Sequence, residues 1–162
     1  MSATSAKPSQ LSPRELGAWR GMLETHSRLI SRLDAELERD HGIQLSAYEV
    51  LMYLGDAPGE KLRMGELADR LLLSRSGITR LVDRVERQGL VERHRCDDDG
   101  RGFYAVLTAA GRSKLDACRA DHLDGVRRHF LARLEPGDLE ALARVWERLL
   151  GENGAPELSK AR

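Results

Sequence analysis

Between Ser74 and Arg95 the chain carries Arg75, Arg80, Arg84, Arg87, Arg93 and Arg95, six guanidinium groups against the three carboxylates of Asp83, Glu86 and Glu92. Helical spacing puts Ser76, Thr79, Arg80, Asp83, Arg84 and Arg87 on one side and Ile78, Leu81, Val82 and Val85 on the other. Arginine offers a planar fork of donors that matches a guanine edge or a phosphate, and Ser or Thr hydroxyls reach base edges and phosphate oxygens. The whole chain balances 26 basic against 26 acidic residues, so the six-minus-three excess is a local patch of about +3. The competing reading is a solvated helix face laced by ion pairs such as Asp83 with Arg87.

Other chemistry-bearing residues are less organised. His94, Cys96, Asp97, Asp98 and Asp99 include metal-ligand types, but consecutive acids in a glycine-containing loop read as a solvated turn. Asp99 lies two residues before Arg101 and can pair with that guanidinium, holding it outward. Cys118 and His122 are one helical turn apart and read as core packing, and His26 sits in an apolar stripe as a hydrogen-bonded core or interface histidine. No nucleophile, base and orienting group share a recognisable spacing, and no glycine loop could cradle a phosphate. An enzyme, a resident metal and a cofactor are therefore not expected.

The elements that must position these residues follow from periodicity and caps. From Leu16 the apolar positions Trp19, Leu23, Ile30, Leu33 and Leu37, with His26 among them, predict a long amphipathic helix. Ser46 and Glu49 have the spacing of a capping box opening a second helix, which stops at Gly55. After an extended piece around Leu62, residues 65–72 predict a compact helix. Ser74 then caps a helix that runs through Gln88 and closes at Gly89. Residues 90–95 and 103–107 alternate as the strands of a hairpin around the loop 96–102. Thr108 caps a further long helix with Leu115, Cys118, Val126 and Phe130 inward. Pro136 falls in the first turn of a last helix carrying Leu139, Leu142, Trp146 and Leu149.

Helix, tight turn, polar-faced helix and hairpin is the order of a winged helix-turn-helix. That arrangement presents the start of its second helix to the major groove and a wing-tip residue, here Arg101, to the adjacent minor groove. The alternative is a winged-helix module that binds protein through the same face. Composition fits a soluble domain: 162 residues can bury a real core, no run of eighteen apolar residues spans a bilayer, and the first ten residues lack a signal-peptide core. Two cysteines are too few for a disulfide framework, so a cytoplasmic protein with reduced thiols and no membrane association is expected.

The stretch LSRSGITRLVDRVERQGLVER, residues 73–93, followed by Asp99-x-Arg101 and Leu107-Thr108-x-x-Gly111, resembles the DNA-binding core of the MarR family of bacterial regulators. The resemblance is closest over residues 62–111. Two departures are Ala105, where the family commonly has valine, and Gly77, where a better helix former is usual; they imply looser wing packing and a softer first turn. The implied fold is mainly α with a small β-hairpin wing, a winged helix-turn-helix plus an entwined helical dimerisation region. Residues 1–13 would be a disordered tail and 14–150 one domain, with 14–45 and 109–150 as dimerisation helices and 46–108 as the DNA-binding lobe; 151–162 would be a C-terminal tail.

The implied function is a dimeric, ligand-responsive regulator, most simply a repressor on a palindromic operator in double-stranded DNA. Its DNA contacts would be Arg75, Ser76, Thr79, Arg80, Arg84, Arg95, Asp99 and Arg101, with Arg75 and Arg84 acting mainly on phosphates. Small aromatic acids or phenols would bind between the dimer core and the lobe, drawing on Trp19, His26, Tyr48 and Met52 with Arg14 or Arg20. No cysteine lies in the first long helix, where peroxide-sensing relatives keep theirs, so a thiol switch through Cys96 or Cys118 is disfavoured.

Overall fold

Ser12 and Glu15 start helix α1 (Pro13–His41) by exchanging hydrogen bonds: the Ser12 amide donates to Glu15 Oε2 at 2.8 Å and the Glu15 amide to Ser12 Oγ at 3.3 Å. Those bonds hold the Glu15 carboxyl below its usual pKa, the bond from the Ser12 amide contributing most. The computed structural model of the chain describes residues 10–96 and 102–151. It divides into two compact units, one closing at Gly125 and the other beginning at Val126. Within the first unit only Leu33 and Leu37 of α1 are buried; Trp19, Met22, Leu23 and Ile30 are exposed.

Helix α2 (Leu45–Gly55) is the centre of the first core, with Leu45, Ala47, Tyr48, Val50, Leu51 and Leu54 buried. Each large side chain contributes roughly 1.5–3 kcal/mol by leaving water. The helix is where its apolar run predicts it, but the capping box is not. Gln44 is the N-cap without a side-chain bond, and the Leu45 amide instead donates to Asp34 Oδ1 of α1 at 2.7 Å. A tertiary contact thus satisfies the orphan amide that a local cap would have served. Ser46 is left free to accept from Arg84 at 3.0 Å.

The chain then turns into β1 (Lys61–Arg63), α3 (Met64–Arg70) and α4 (Arg75–Arg87), followed by β2 (Val91–Arg95), β3 (Phe103–Leu107) and α5 (Ala109–His129). The expected hairpin is a three-stranded antiparallel sheet of order β1-β3-β2, because the extended piece at Leu62 pairs with Ala105. On the other side Val91 pairs with Leu107, Arg93 with Ala105 and Arg95 with Phe103. Leu62, Val91, Ala105 and Leu107 turn inward and are buried, so Ala105 sits fully enclosed mid-sheet. Helix α3 stops two residues short of expectation because Leu72 adopts a left-handed φ of 53° while its neighbour Leu73 donates its amide to Ala68 O.

Thr108 joins sheet to helix as the sequence predicts: its hydroxyl accepts from the Gly111 amide at 3.0 Å and donates to Gly89 O at 2.7 Å. A Cβ on Gly111 would fall 2.0 Å from Leu90 O, so only glycine lets the start of α5 lie against the base of β2. In the second unit, α6 (Asp138–Leu150) begins after Gly137 at φ 91°. Pro136 therefore precedes the helix rather than occupying its first turn. The Glu135 amide donates to Asp138 Oδ2 at 2.7 Å in that turn. None of the α6 residues is buried, and Leu139, Leu149 and Leu150 are exposed.

Candidate nucleic-acid interface

Helix α4 is anchored by one row and presents another. Ile78, Leu81, Val82 and Val85 are buried, which rotates Arg75, Ser76, Thr79 and Arg80 into solvent. Ser74 Oγ caps the helix by accepting from the Gly77 amide at 3.1 Å. A Cβ at Gly77 would approach that oxygen to 3.2 Å, so the glycine leaves room for the cap. The Thr79 hydroxyl donates to Arg75 O at 2.8 Å, the usual back-bond of a helical threonine, and keeps its acceptor capacity outward.

The six arginines separate into two groups. Arg84 donates to Ser46 Oγ at 3.0 Å and is half-buried between α4 and α2. Arg87 donates to Asp83 O at 3.1 Å, not to the Asp83 carboxylate, so the Asp83–Arg87 ion pair of the competing solvated-face reading is not formed. The Asp83 carboxylate is held instead by Arg93, at 2.6 Å, together with Glu86, also at 2.6 Å. Glu86 additionally accepts from the Arg93 amide at 3.2 Å, and these bonds, Glu86's first, raise the Arg93 pKa further. Arg93 is thus a brace between α4 and β2. Arg75 and Arg80, by contrast, take no side-chain partner among the described residues.

Arg95 is exposed near the end of β2, its guanidinium 6.0 Å from the Phe103 ring centre, at the limit of cation–π attraction. Asp99 and Arg101 lie outside the described residues. A groove of about 660 Å³ runs beneath the wing between Arg63, Glu66, Arg75, Thr79, Arg93 and Phe103. Beside it, Lys61 and Arg63 hold their cationic heads 5.0 and 5.5 Å from the Tyr104 ring centre. The sequence reading passed over this basic and aromatic cluster; its signal was the Lys-x-Arg alternation of β1, which puts both cations on one face.

Comparison with known proteins places this geometry. A family model described as MarR family matches residues 41–102. The structure of Sco3205, a MarR family transcriptional regulator from Streptomyces coelicolor in complex with DNA, superposes with a TM-score of 0.84 at 34% identity, covering 93% of this chain and 94% of that one. The chain belongs to the MarR family. Two curated relatives, both from Bacillus subtilis (strain 168), are the uncharacterised HTH-type transcriptional regulator YkoM and the HTH-type transcriptional repressor YetL, each 31% identical. The first alignment covers 64% of this chain and 66% of YkoM, the second 52% and 51% of YetL, so this chain spans between half and two thirds of those relatives' lengths. As a MarR-family member it is a transcriptional regulator and not an enzyme.

The residues expected at a MarR-family effector site differ in exposure. Tyr48 is buried, its ring centre 4.5 Å from that of His122 and its pKa raised chiefly by burial. Trp19 is 52% exposed on the first half of α1, and Met52 is half-buried. Arg14 and Arg20 are exposed. His26 lines a groove with Asp34 and Glu49. His26 is exposed there, not packed in this chain's core. Cys118 is fully buried as expected, and burial raises its thiol pKa; Cys96 is also buried. Among the described residues no three potential ligands gather around a metal position, and no helix is long and apolar enough to cross a membrane.

Proposed function

We propose that this MarR-family chain is a ligand-responsive repressor that binds a palindromic operator as a homodimer. The carrying observation is the pair Arg75 and Arg80, exposed beside Ser76 and Thr79 on the outward row of α4 and unpartnered among the described residues. A cation without a protein partner is one whose charge remains for phosphate or a base edge. Arg80 is the base reader and Arg75 a phosphate contact, with Arg95 and the wing residues Asp99 and Arg101 beside the minor groove. Sco3205, of the same fold, is seen with DNA, and YetL is named a repressor. Two-fold symmetry of a dimer makes the operator palindromic, its half-sites about one helical turn apart. An effector releases DNA by binding the DNA-incompetent spacing of the two lobes more tightly, by about 1–3 kcal/mol.

The test is selection of duplexes from a randomised library, followed by titration of the full chain and its variants at two salt concentrations. Arg80→Ala is expected to lower affinity by about 1–3 kcal/mol and relax preference at one base position. Arg101→Ala is expected to reduce the salt slope by about one unit while sparing major-groove preferences. Unchanged affinity in both variants would favour a protein-binding winged helix instead.

A further inference from the structure

Leu62 turns its side chain into the core, so Lys61 and Arg63 on either side of it turn to the outer face of the sheet. They pair with Val106 and Tyr104 of β3, which show that same face beside Glu92 and His94 of β2. Lys61 is exposed, and its ammonium takes neither a hydrogen bond nor an ion pair among the described residues. Its neighbour is the Tyr104 ring, whose centre lies 5.0 Å from Lys61 Nζ and 5.5 Å from Arg63 Cζ. A ring at that range fixes a cation by its negative face and leaves the charge unneutralised. The surrounding carboxylates are committed elsewhere. Glu60 accepts from Arg112 Nε at 3.0 Å, Glu66 from the Arg63 amide at 2.9 Å, and Glu92 stands 3.1 Å from His94 Nε2. Arg63 makes this face continuous with α4, since it lines the groove that Arg75 and Thr79 also line.

We propose that Lys61, held against Tyr104, grips a phosphate of the operator beyond the base pairs that α4 reads. This rests on the DNA-binding reading above and extends it to β1. A wing stands beside the groove next to the one its recognition helix enters, so a cation on the wing sheet meets flanking backbone. Such a contact adds affinity and fixes register without reading sequence.

The test titrates the full chain against the selected operator over a series of salt concentrations, as wild type, Lys61→Gln, Lys61→Glu, Tyr104→Phe and Tyr104→Leu, with Arg80→Ala as control. The operator is used whole and with base pairs trimmed stepwise from both outer ends. Lys61→Gln is expected to lower the salt slope by about one unit for each phosphate contact removed, equally on every sequence of the library. Lys61→Glu should lose more affinity still. Tyr104→Phe keeps the ring and the wild-type slope, whereas Tyr104→Leu falls toward Lys61→Gln. As the flanks are trimmed, the wild-type slope should drop to that of Lys61→Gln and the difference between them vanish, which a purely structural role for Lys61 would not produce. An unchanged slope in both Lys61 variants, while Arg80→Ala loses affinity, overturns the contact and leaves the DNA-binding reading standing. A Lys61→Gln deficit that survives trimming, or that alters base preference, overturns the flanking-phosphate assignment. A wild-type slope in Tyr104→Leu overturns the part given to the ring. Failure of the wild type to bind any selected duplex overturns both readings.

Discussion

Arg80 and Arg84 stand four residues apart on α4, yet the first is exposed and unpartnered among the described residues while the second is half-buried against Ser46. Their replacements should therefore be read by different instruments. Arg84→Ala leaves the Ser46 hydroxyl without its donor and is expected to lower stability by about 0.5–1.5 kcal/mol in urea melts. Its effect on the salt slope of DNA binding should stay well below the one unit or so expected of Arg75→Ala. A full unit of slope lost by Arg84→Ala, with unchanged urea midpoint, would return it to the phosphates. Leu72 offers a second test at this scale. It is 93% exposed with φ 53°, a conformation that costs a residue with a Cβ about 1 kcal/mol or more and gains nothing from burial. Leu72→Gly is expected to raise the urea midpoint; a lowered midpoint would mean the side chain has a partner in the assembled protein.

The elements the sequence made legible are those whose signals are local. Helix α4 shows its buried row in Ile78, Leu81, Val82 and Val85 and its cap in Ser74, all within the helix and the residue before it. The start of α2 was misread because its cap, Asp34, comes from another helix. The third strand was missed because Leu62 finds Ala105 only in three dimensions. For the candidate site, the outward row was readable from spacing, whereas the partners that divide the arginines were not. Arg93 meets Glu86 across a turn, and Arg84 meets Ser46 across two helices. His122 on α5 shows how an element carries a pH dependence. Burial lowers its pKa from the usual 6.5, and Nδ1 is enclosed without a hydrogen-bond partner among the described residues. The unfolded chain accepts that proton more readily than the folded one, so the stability it contributes is present above pH 6.5 and is lost as pH falls through the depressed folded value. His122→Phe keeps the aromatic contact with Tyr48, removes the orphan nitrogen, and is expected to gain about 1 kcal/mol near neutrality. It should also flatten the loss between neutral pH and pH 5 in urea melts; an unaltered pH profile would show that other groups set it.

At the scale of the whole molecule, α1 is the element that one chain leaves unexplained. It has 29 residues, roughly 44 Å of helix at 1.5 Å per residue, and buries only Leu33 and Leu37. Trp19, Leu23 and Ile30 are 52%, 48% and 37% exposed on its first two thirds. Isolated turns of helix are marginal in water, and most helical stability in proteins comes from packing an apolar face. A stripe of this kind is what an isologous interface covers, with the same residues supplied by both copies. Sedimentation of the full chain at micromolar concentration is expected to give twice 18.1 kDa. Trp19→Glu combined with Leu23→Glu places two carboxylates on that stripe and touches none of the buried core of the first unit, so it is expected to leave a folded monomer. That monomer engages one half-site at a time and should lose most of its affinity for a palindromic operator while keeping its affinity for an isolated half-site. A double variant that remains a dimer would move the interface off this stripe. A monomer that still binds the palindrome with wild-type affinity would remove dimerisation from the account of DNA binding altogether.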